Sequence, residues 1–150
     1  MLKCLQVADA MDYLHSNFFV YRDLKAGNIL VWKYPEPDSQ WNPNAQIWIK
    51  VADYGISKQV SPQGLRGESG TRPYLPPEVL LYGGKEAYST KIDVYAFGMF
   101  IYALMTYLSP FQLQDRPLTV LLAEGRRPQL PSKVRIIQYY CNTFSRVLKV

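Results

Sequence analysis

The sequence has few of the residues that build disulfide frameworks and metal clusters. Of its 150 residues two are cysteines, Cys4 and Cys141, and one is a histidine, His15. Two cysteines cannot form the several crosslinks that staple a small secreted domain, and these two lack the C-x-x-C spacing of zinc sites. A disulfide scaffold, a zinc finger and a histidine-rich metal centre are therefore excluded.

Hydrophobic runs long enough to cross a membrane are also lacking. The longest nearly all-apolar stretch, 94–108, lies between Asp93 and Pro110, and it is shorter than the roughly 20 residues that span a bilayer. The start of the chain carries Asp9 and Asp12 in a helical pattern, which is unlike a signal peptide. We therefore expect no membrane span and a soluble, intracellular protein of the reducing cytoplasm.

Charge of one sign is in excess only near the end of the chain. Lys and Arg number 17 against 12 Asp and Glu, for a net charge of +5, but the two signs balance over residues 1–112. A basic tail attracts phosphate groups, yet the sequence has no interleaved aromatic and basic stripe of the RNA-binding kind. We interpret the tail as a solvated basic face and expect no nucleic-acid partner.

Hydrophobic periodicity predicts one domain that is mainly α with a small β component. The composition, 48% hydrophobic and 19% charged, is that of a globular chain of about one domain. Short apolar runs predict strands at 18–21, 29–32 and 47–51. Apolar spacing predicts helices at 1–14, 92–107, 118–123 and 138–148, with a shorter one between Pro76 and Gly83. We expect a turn-rich insertion at 34–44 and a mobile polar loop at 57–71.

The expected helix 92–107 is apolar on nearly every side, which predicts a fully buried central helix. Thr90 and Asp93 have the spacing of a capping box in which Asp replaces the usual Glu. A carboxylate in the first helical turn is also favoured by the helix dipole. These two residues therefore predict the start of the central helix.

A first polar cluster, Tyr-Arg-Asp-Leu-Lys-Ala-Gly-Asn at 21–28, separates two expected strands. Asp23 could accept a proton, Lys25 could neutralise a phosphoryl oxygen, and Asn28 could offer its carbonyl oxygen to Mg²⁺. An ion pair between Arg22 and Asp23 in an ordinary loop is the alternative interpretation. Residue types alone leave both open.

Two further polar clusters follow in the chain. Asp-Tyr-Gly at 53–55 comes directly after an expected strand, and 70–78 contains Gly-Thr-x-x-Tyr followed by Pro-Pro-Glu. Taken singly, the first is a turn and the second is the start of a helix. Three such clusters in this order, followed by a buried helix, favour a functional interpretation.

In this order the clusters resemble the motif set of the protein kinases, across essentially the whole chain. Residues 21–28 resemble the catalytic loop, 53–55 the metal-binding motif and 76–78 the end of the activation segment. The resemblance implies that the activation segment runs over 53–78. It also implies a partial protein kinase domain, with the kinase C-terminal lobe present and the N-terminal lobe absent.

A finer resemblance is carried by fewer positions. Lys25, two residues after Asp23, and Thr71 are similar to the serine/threonine branch of the family. Tyr21 in place of the usual His, Asp-Tyr-Gly followed by Ile-Ser, and Asn-Ile-Leu-Val-Trp at 28–32 resemble the leucine-rich-repeat kinases of the Roco family.

The resemblance implies a role for each matching position of the site. Asp23 would orient the substrate hydroxyl and accept its proton, and Lys25 would stabilise the transferring phosphoryl group. Asn28 and Asp53 would hold Mg²⁺. Leu30 would lie under the adenine ring, so that ATP is bound by Leu30, Lys25, Asn28 and Asp53 together.

Regulatory positions are implied in the same way. Arg22, beside Asp23, resembles the arginine of kinases that are switched by phosphorylation, where it pairs with a phosphate on the activation segment. The available hydroxyls there are those of Ser61, Ser69 and Thr71. Of these, Thr71 is better suited to contact the substrate or Asp23 than to be modified.

Two structural positions are implied as well. Asp93 would anchor the backbone of the catalytic loop from below. Glu78 would pair with an arginine that lies downstream of Val150, so we expect its carboxylate to be buried and unpaired in this chain, at a cost of several kcal/mol. His15 is expected to be a packed or capping residue.

The function that the resemblance implies is that of a protein serine/threonine kinase, with ATP and Mg²⁺ as cofactors and a protein as substrate. A Gly-rich phosphate loop, a strand lysine and a helix glutamate are missing upstream of residue 21, so we expect part of a longer kinase, inactive by itself. The alternative is a truncated, inactive kinase-like module that only binds proteins. The four residues Asp23, Lys25, Asn28 and Asp53 favour the enzyme; the oligomeric state stays unassigned.

Overall fold

Helices supply most of the secondary structure in the computed structural model, which describes residues 2–33 and 47–131. The helices are α1 Leu2–Ser16, α2 Pro77–Leu80, α3 Lys91–Thr106 and α4 Leu118–Ala123, with 3₁₀ turns at Ala26–Asn28 and Arg72–Tyr74. None of the helices in these ranges is long and apolar enough to span a bilayer. The expected insertion at 34–44 and helix at 138–148 lie outside the described residues.

Two small antiparallel sheets complete the secondary structure. The strands are β1 Phe19–Val20, β2 Ile29–Lys33, β3 Trp48–Val51 and β4 Lys58–Gln59. β1 pairs with β4, and β2 pairs with β3 with an irregularity between Val31 and Lys33. The prediction that 57–71 is loop throughout is wrong at β4, because the backbone there pairs with β1.

Helix α1 is fastened to the edge of β3 by one side chain. The Gln6 amide donates to the Ile47 carbonyl at 3.0 Å and accepts the Ile49 N–H at 3.0 Å. A strand edge exposes such unpaired groups, so a side chain with one donor and one acceptor can satisfy both. Val7 and Met11 on the same helix are buried, which fixes α1 beneath the sheet formed by β2 and β3.

Helix α3 lies between two hydrophobic clusters. Ile92 and Met99 pack with α2 and α4, whereas Ala96, Phe100 and Ile101 pack with α1 and the 21–28 loop. A helix that is apolar on nearly every side can serve two cores in this way. The central helix predicted from the sequence is confirmed in its position.

The expectation that this helix is buried throughout is wrong at its C-terminal end. Leu104 is 39% exposed, and Tyr107, which ends the helix in the left-handed conformation, is 93% exposed. Burial therefore covers the first three turns of α3 more fully than its last turn.

The predicted capping box at the start of α3 is also wrong. Thr90 has helical dihedral angles and its side chain makes no capping hydrogen bond. The Asp93 carboxylate, only 1% exposed, instead accepts the backbone N–H groups of Tyr21 and Arg22, each at 2.8 Å. His15 Nε2 lies 2.9 Å from the same carboxylate. The acid therefore binds the distant 21–28 loop.

The polar segment after β4 packs closely on the turn that follows α2. The Gly67 N–H donates to the Gly84 carbonyl at 2.8 Å. A Cβ atom at Gly84, whose φ is +66°, would lie 2.2 Å from the carbonyl carbon of Gly67 and from the Glu68 nitrogen. Glycine is required at position 84 both by its backbone conformation and by this contact.

We expect Gly84→Ala to lower the free energy of unfolding by about 3 kcal/mol, because it combines left-handed strain with a backbone clash. The neighbouring Gly83→Ala is the matched control. Gly83 also has a positive φ, but a Cβ there meets nothing within 4 Å, so its loss should be about 1 kcal/mol. Urea denaturation of both variants measures the difference, and equal losses would contradict the packing described.

Candidate active site

The 21–28 loop is held by buried residues on one side and presents polar side chains on the other. Tyr21 and Leu24 are completely buried, while Asp23 and Lys25 are partly exposed. Arg22 has a φ of +74°, a conformation that costs energy for a residue with a side chain. The Asp93 carboxylate accepts the backbone N–H groups of Tyr21 and Arg22. These two hydrogen bonds hold the turn from which Asp23 extends to the partly exposed side of the loop.

Four side chains form one hydrogen-bonded network around Asp23. Its Oδ2 accepts from Lys25 Nζ at 2.8 Å and from Asn28 Nδ2 at 3.0 Å, and its Oδ1 accepts from Thr71 Oγ1 at 2.6 Å. Lys25 Nζ also donates to Thr71 Oγ1 at 2.8 Å. The structure thus brings together four of the residues named from the sequence, and the expected contact between Thr71 and Asp23 is present.

The network determines the charge of Asp23. Partial burial acts to raise the pKa of this carboxyl, but the hydrogen bonds from Lys25, Thr71 and Asn28 outweigh burial and hold the pKa below its ordinary value. Asp23 is therefore an ionised acceptor at neutral pH. Its two oxygens and the Lys25 ammonium form a polar surface on which a hydroxyl can be oriented.

Asp53 lies beside this network but is not hydrogen-bonded into it. Its side chain is exposed, its φ is +58°, and its Oδ1 accepts the Gly55 N–H at 3.3 Å. The preceding Ala52 N–H donates to the Asn28 carbonyl at 2.9 Å. The backbone therefore brings Asp53 next to the 21–28 loop, and the carboxylate stays accessible.

The oxygen donors of Asn28 and Asp53 have the chemistry that Mg²⁺ prefers. The side-chain nitrogen of Asn28 donates hydrogen bonds to Asp23, so the side-chain oxygen is the atom of Asn28 that can serve as a metal ligand. Among the residues described, no three His, Cys, Asp or Glu side chains are grouped to hold a metal. Mg²⁺ commonly uses one or two protein ligands together with phosphate oxygens and water, so this donor set fits magnesium bound with a nucleotide.

Tyr21 links the 21–28 loop to the segment that carries Asp53. Its hydroxyl donates to the Ala52 carbonyl, and its ring meets that of Tyr54 edge-on, with 5.4 Å between the ring centroids. Burial, with smaller contributions from the Asp23 and Asp53 carboxylates, raises the pKa of Tyr21 to about 12. A neutral phenol therefore joins the two polar clusters.

Arg22 is buried and bound by internal partners. Its Nε donates to the Ile56 carbonyl at 2.6 Å, and its Nη1 donates to the Tyr88 hydroxyl at 3.1 Å. Sequence analysis did not single out Tyr88. No local pattern could have identified it, because its partner lies 66 residues earlier in the chain.

The remaining predicted residues lie outside the network. Leu30 is half-exposed on β2, in line with an apolar surface beside the loop. Ser61 is exposed and donates to the Gly64 carbonyl at 3.2 Å, and Ser69 is partly buried. Glu78 is exposed, so the expectation of a buried, unpaired carboxylate is wrong and no such energetic cost arises.

Residues 2–135 match the protein kinase domain family, and the chain therefore belongs to the protein kinases. It is 41% identical over 127 residues to leucine-rich repeat serine/threonine-protein kinase 1 of Caenorhabditis elegans, covering 84% of this chain and 5% of that protein. The mouse protein of the same name is 35% identical over 127 residues, covering 83% and 6% respectively.

The ovarian-specific serine/threonine-protein kinase Lok of Drosophila melanogaster is 35% identical over 123 residues, covering 81% of this chain and 24% of Lok. The chain thus spans a quarter or less of the length of each of these three relatives. The family and the resemblance to leucine-rich-repeat kinases agree with the motifs found in the sequence.

The pKa of Tyr21 predicts a pH dependence of stability. Because the pKa in the folded state, about 12, exceeds the ordinary value of 10, the folded chain keeps a proton that the unfolded chain loses. The free energy of unfolding should therefore fall as the pH rises from about 10 towards 12. Tyr21→Phe should be less stable at neutral pH and should show a shallower decline over this range.

Urea denaturation at several pH values in this range measures the decline. The matched control is Tyr13→Phe on α1, because the Tyr13 side chain is 70% exposed, and it should keep the wild-type slope. Identical slopes for wild type and Tyr21→Phe would contradict the proposed protonation of the buried phenol.

Proposed function

We propose that this chain is part of the catalytic domain of a protein serine/threonine kinase, within a longer polypeptide, and that it forms the C-terminal lobe of that domain. The observation that carries the proposal is the Asp23 carboxylate, held by Lys25, Asn28 and Thr71 at 2.6 to 3.0 Å. The names of the relatives support the serine/threonine class. In this proposal 21–28 is the catalytic loop and 53–78 the activation segment.

In the proposed reaction Asp23 orients the substrate hydroxyl and takes its proton. The hydroxyl oxygen forms a bond to the γ-phosphorus of ATP, the bond from that phosphorus to the β,γ-bridging oxygen breaks, and ADP leaves with the bond's electron pair. The lowered pKa of Asp23 makes it a weak base, which suits a reaction in which the proton is transferred late and positioning contributes most.

Lys25 supplies the positive charge of the proposed site. Its Nζ lies 2.8 Å from both Asp23 Oδ2 and Thr71 Oγ1. A fixed ammonium at this position meets the negative charge on the phosphoryl oxygens without rearranging during the reaction. Thr71 in turn holds Lys25 and Asp23 together from the activation segment.

Asn28 and Asp53 are the proposed holders of Mg²⁺, through their side-chain oxygens. When bound, the metal neutralises charge on the ATP phosphates. Leu30 offers an exposed apolar surface on β2, which we propose contacts the adenine ring. Glu78 and Asp93 are proposed as structural positions.

The alternative of an inactive binding module is less well supported. Such a module has no use for the hydrogen bonds that orient Lys25, Asn28 and Thr71 around one carboxylate. Phosphorylation at Ser61, Ser69 or Thr71, with the phosphate paired to Arg22, stays a prediction. A cytoplasmic location also stays a prediction.

Asp23→Asn, tested in a polypeptide that carries the complete kinase domain around this chain, should lower the rate of phosphate transfer from labelled ATP to a protein by about 10³-fold. Asparagine keeps the size of the side chain, so the melting temperature should change little. Asp12→Asn is the matched control, since Asp12 is exposed on α1, and it should keep the wild-type rate.

An Asp23→Asn variant with the wild-type rate would refute the assignment of Asp23. If neither form transfers phosphate although both bind the same proteins equally well, the inactive module would be favoured instead.

A further inference from the structure

The Tyr88 hydroxyl bridges the activation segment and the catalytic loop. It donates to the Gly67 carbonyl at 2.9 Å and accepts from Arg22 Nη1 at 3.1 Å. Tyr88 is 6% exposed, so its contact with Arg22 is buried and its contact with Gly67 is partly buried. Only a side chain with a donor and an acceptor on one atom can serve both partners at once.

The Tyr88 backbone also binds the proposed activation segment, at Leu65. Its N–H donates to the Leu65 carbonyl and its carbonyl accepts the Leu65 N–H, both at 2.8 Å. Two residues later, the Gly67 N–H donates to the Gly84 carbonyl. Residues 65–67 are therefore held against the turn after α2 by main-chain bonds, and the Tyr88 hydroxyl extends this attachment to the catalytic loop.

The hydrogen bond between Tyr88 and Arg22 involves the residue directly before Asp23. Arg22 is held at its other end by the Ile56 carbonyl, and its own carbonyl lies so close to Gly70 that a Cβ there would come within 2.3 Å. Thr71, one residue further, bonds directly to Asp23. The position of residues 64–71 and the position of Asp23 therefore depend on one another.

We propose that Tyr88 is a positioning residue that keeps residues 64–71 docked on the catalytic loop through an uncharged hydroxyl, with no phosphate on the segment. This rests on the proposed function, which gives the docked segment its purpose. It differs from the expectation that Arg22 needs a phosphorylated partner. The hydroxyl and the Ile56 carbonyl already give the guanidinium two acceptors within the described part of the chain.

The test compares Tyr88→Phe with wild type by hydrogen exchange of the 150-residue chain. Removing the hydroxyl should speed the exchange of amides in 64–71 by about fivefold, the effect of losing its hydrogen bond to the Gly67 carbonyl. Amides of α1 and α3 should be unaffected. Tyr82→Phe is the matched control, because Tyr82 lies nearby and is 57% exposed, and it should exchange like wild type.

A second arm removes any phosphate from the wild-type chain with a phosphatase, with mass spectrometry to verify that none is left. The 64–71 amides should stay as protected as before. Loss of their protection would overturn the proposal, as would unchanged exchange in Tyr88→Phe or acceleration spread over α1 and α3. Even if Tyr88→Phe fails to fold, this arm still tests whether the segment stays docked without a phosphate.

A kinetic measurement separates positioning from general destabilisation. In a polypeptide with the complete kinase domain, Tyr88→Phe should lower kcat/KM for a protein substrate about fivefold and leave the KM for ATP unchanged, since Asn28 and Asp53 are not bonded to Tyr88. An equal effect on ATP would contradict positioning. Hydrogen exchange needs no phosphate transfer, so failure of the proposed function would not alter the exchange result.

Discussion

The arrangement of the site depends on one buried carboxylate. Asp93 lies at the start of α3, is almost inaccessible to water, and accepts two successive backbone N–H groups and a contact from His15. A buried charge is tolerated only when hydrogen bonds replace its hydration. Arg22, whose N–H is one of the two, has a left-handed backbone conformation, and Asp23 follows it directly in the chain.

The Asp23 network follows from this turn. Lys25 and Asn28 come from the same loop, but Thr71 comes from a segment 48 residues away. Three donors on one carboxylate stabilise its ionised form and keep it in place. The same bonds reduce its strength as a base, which suits the proposed reaction, in which orientation of a hydroxyl contributes more than proton removal.

Two tyrosine hydroxyls connect the polar clusters to one another. Tyr21 joins the 21–28 loop to the Ala52 carbonyl, ahead of Asp53, and Tyr88 joins Arg22 of this loop to Gly67. Both side chains are buried, and buried contacts are screened by salt less than exposed ion pairs. The exposed pair of Glu68 and Arg72, at 3.4 Å, is of the weaker kind.

The spacing of apolar and polar residues along the chain was enough to predict the four helices and the strands β1 to β3 of the described residues, but not β4. The motifs also singled out Asp23, Lys25 and Asn28, which lie within six residues of each other and meet in one hydrogen-bonded network. The tertiary structure decided which partners the polar groups take. Thr90 and Asp93 had the local spacing of a cap, but the carboxylate is bound by N–H groups more than 70 residues away. Local spacing cannot reveal contacts between residues so far apart in the chain, and for the same reason the contacts of Tyr88 and the exposure of Glu78 are known only from the folded structure.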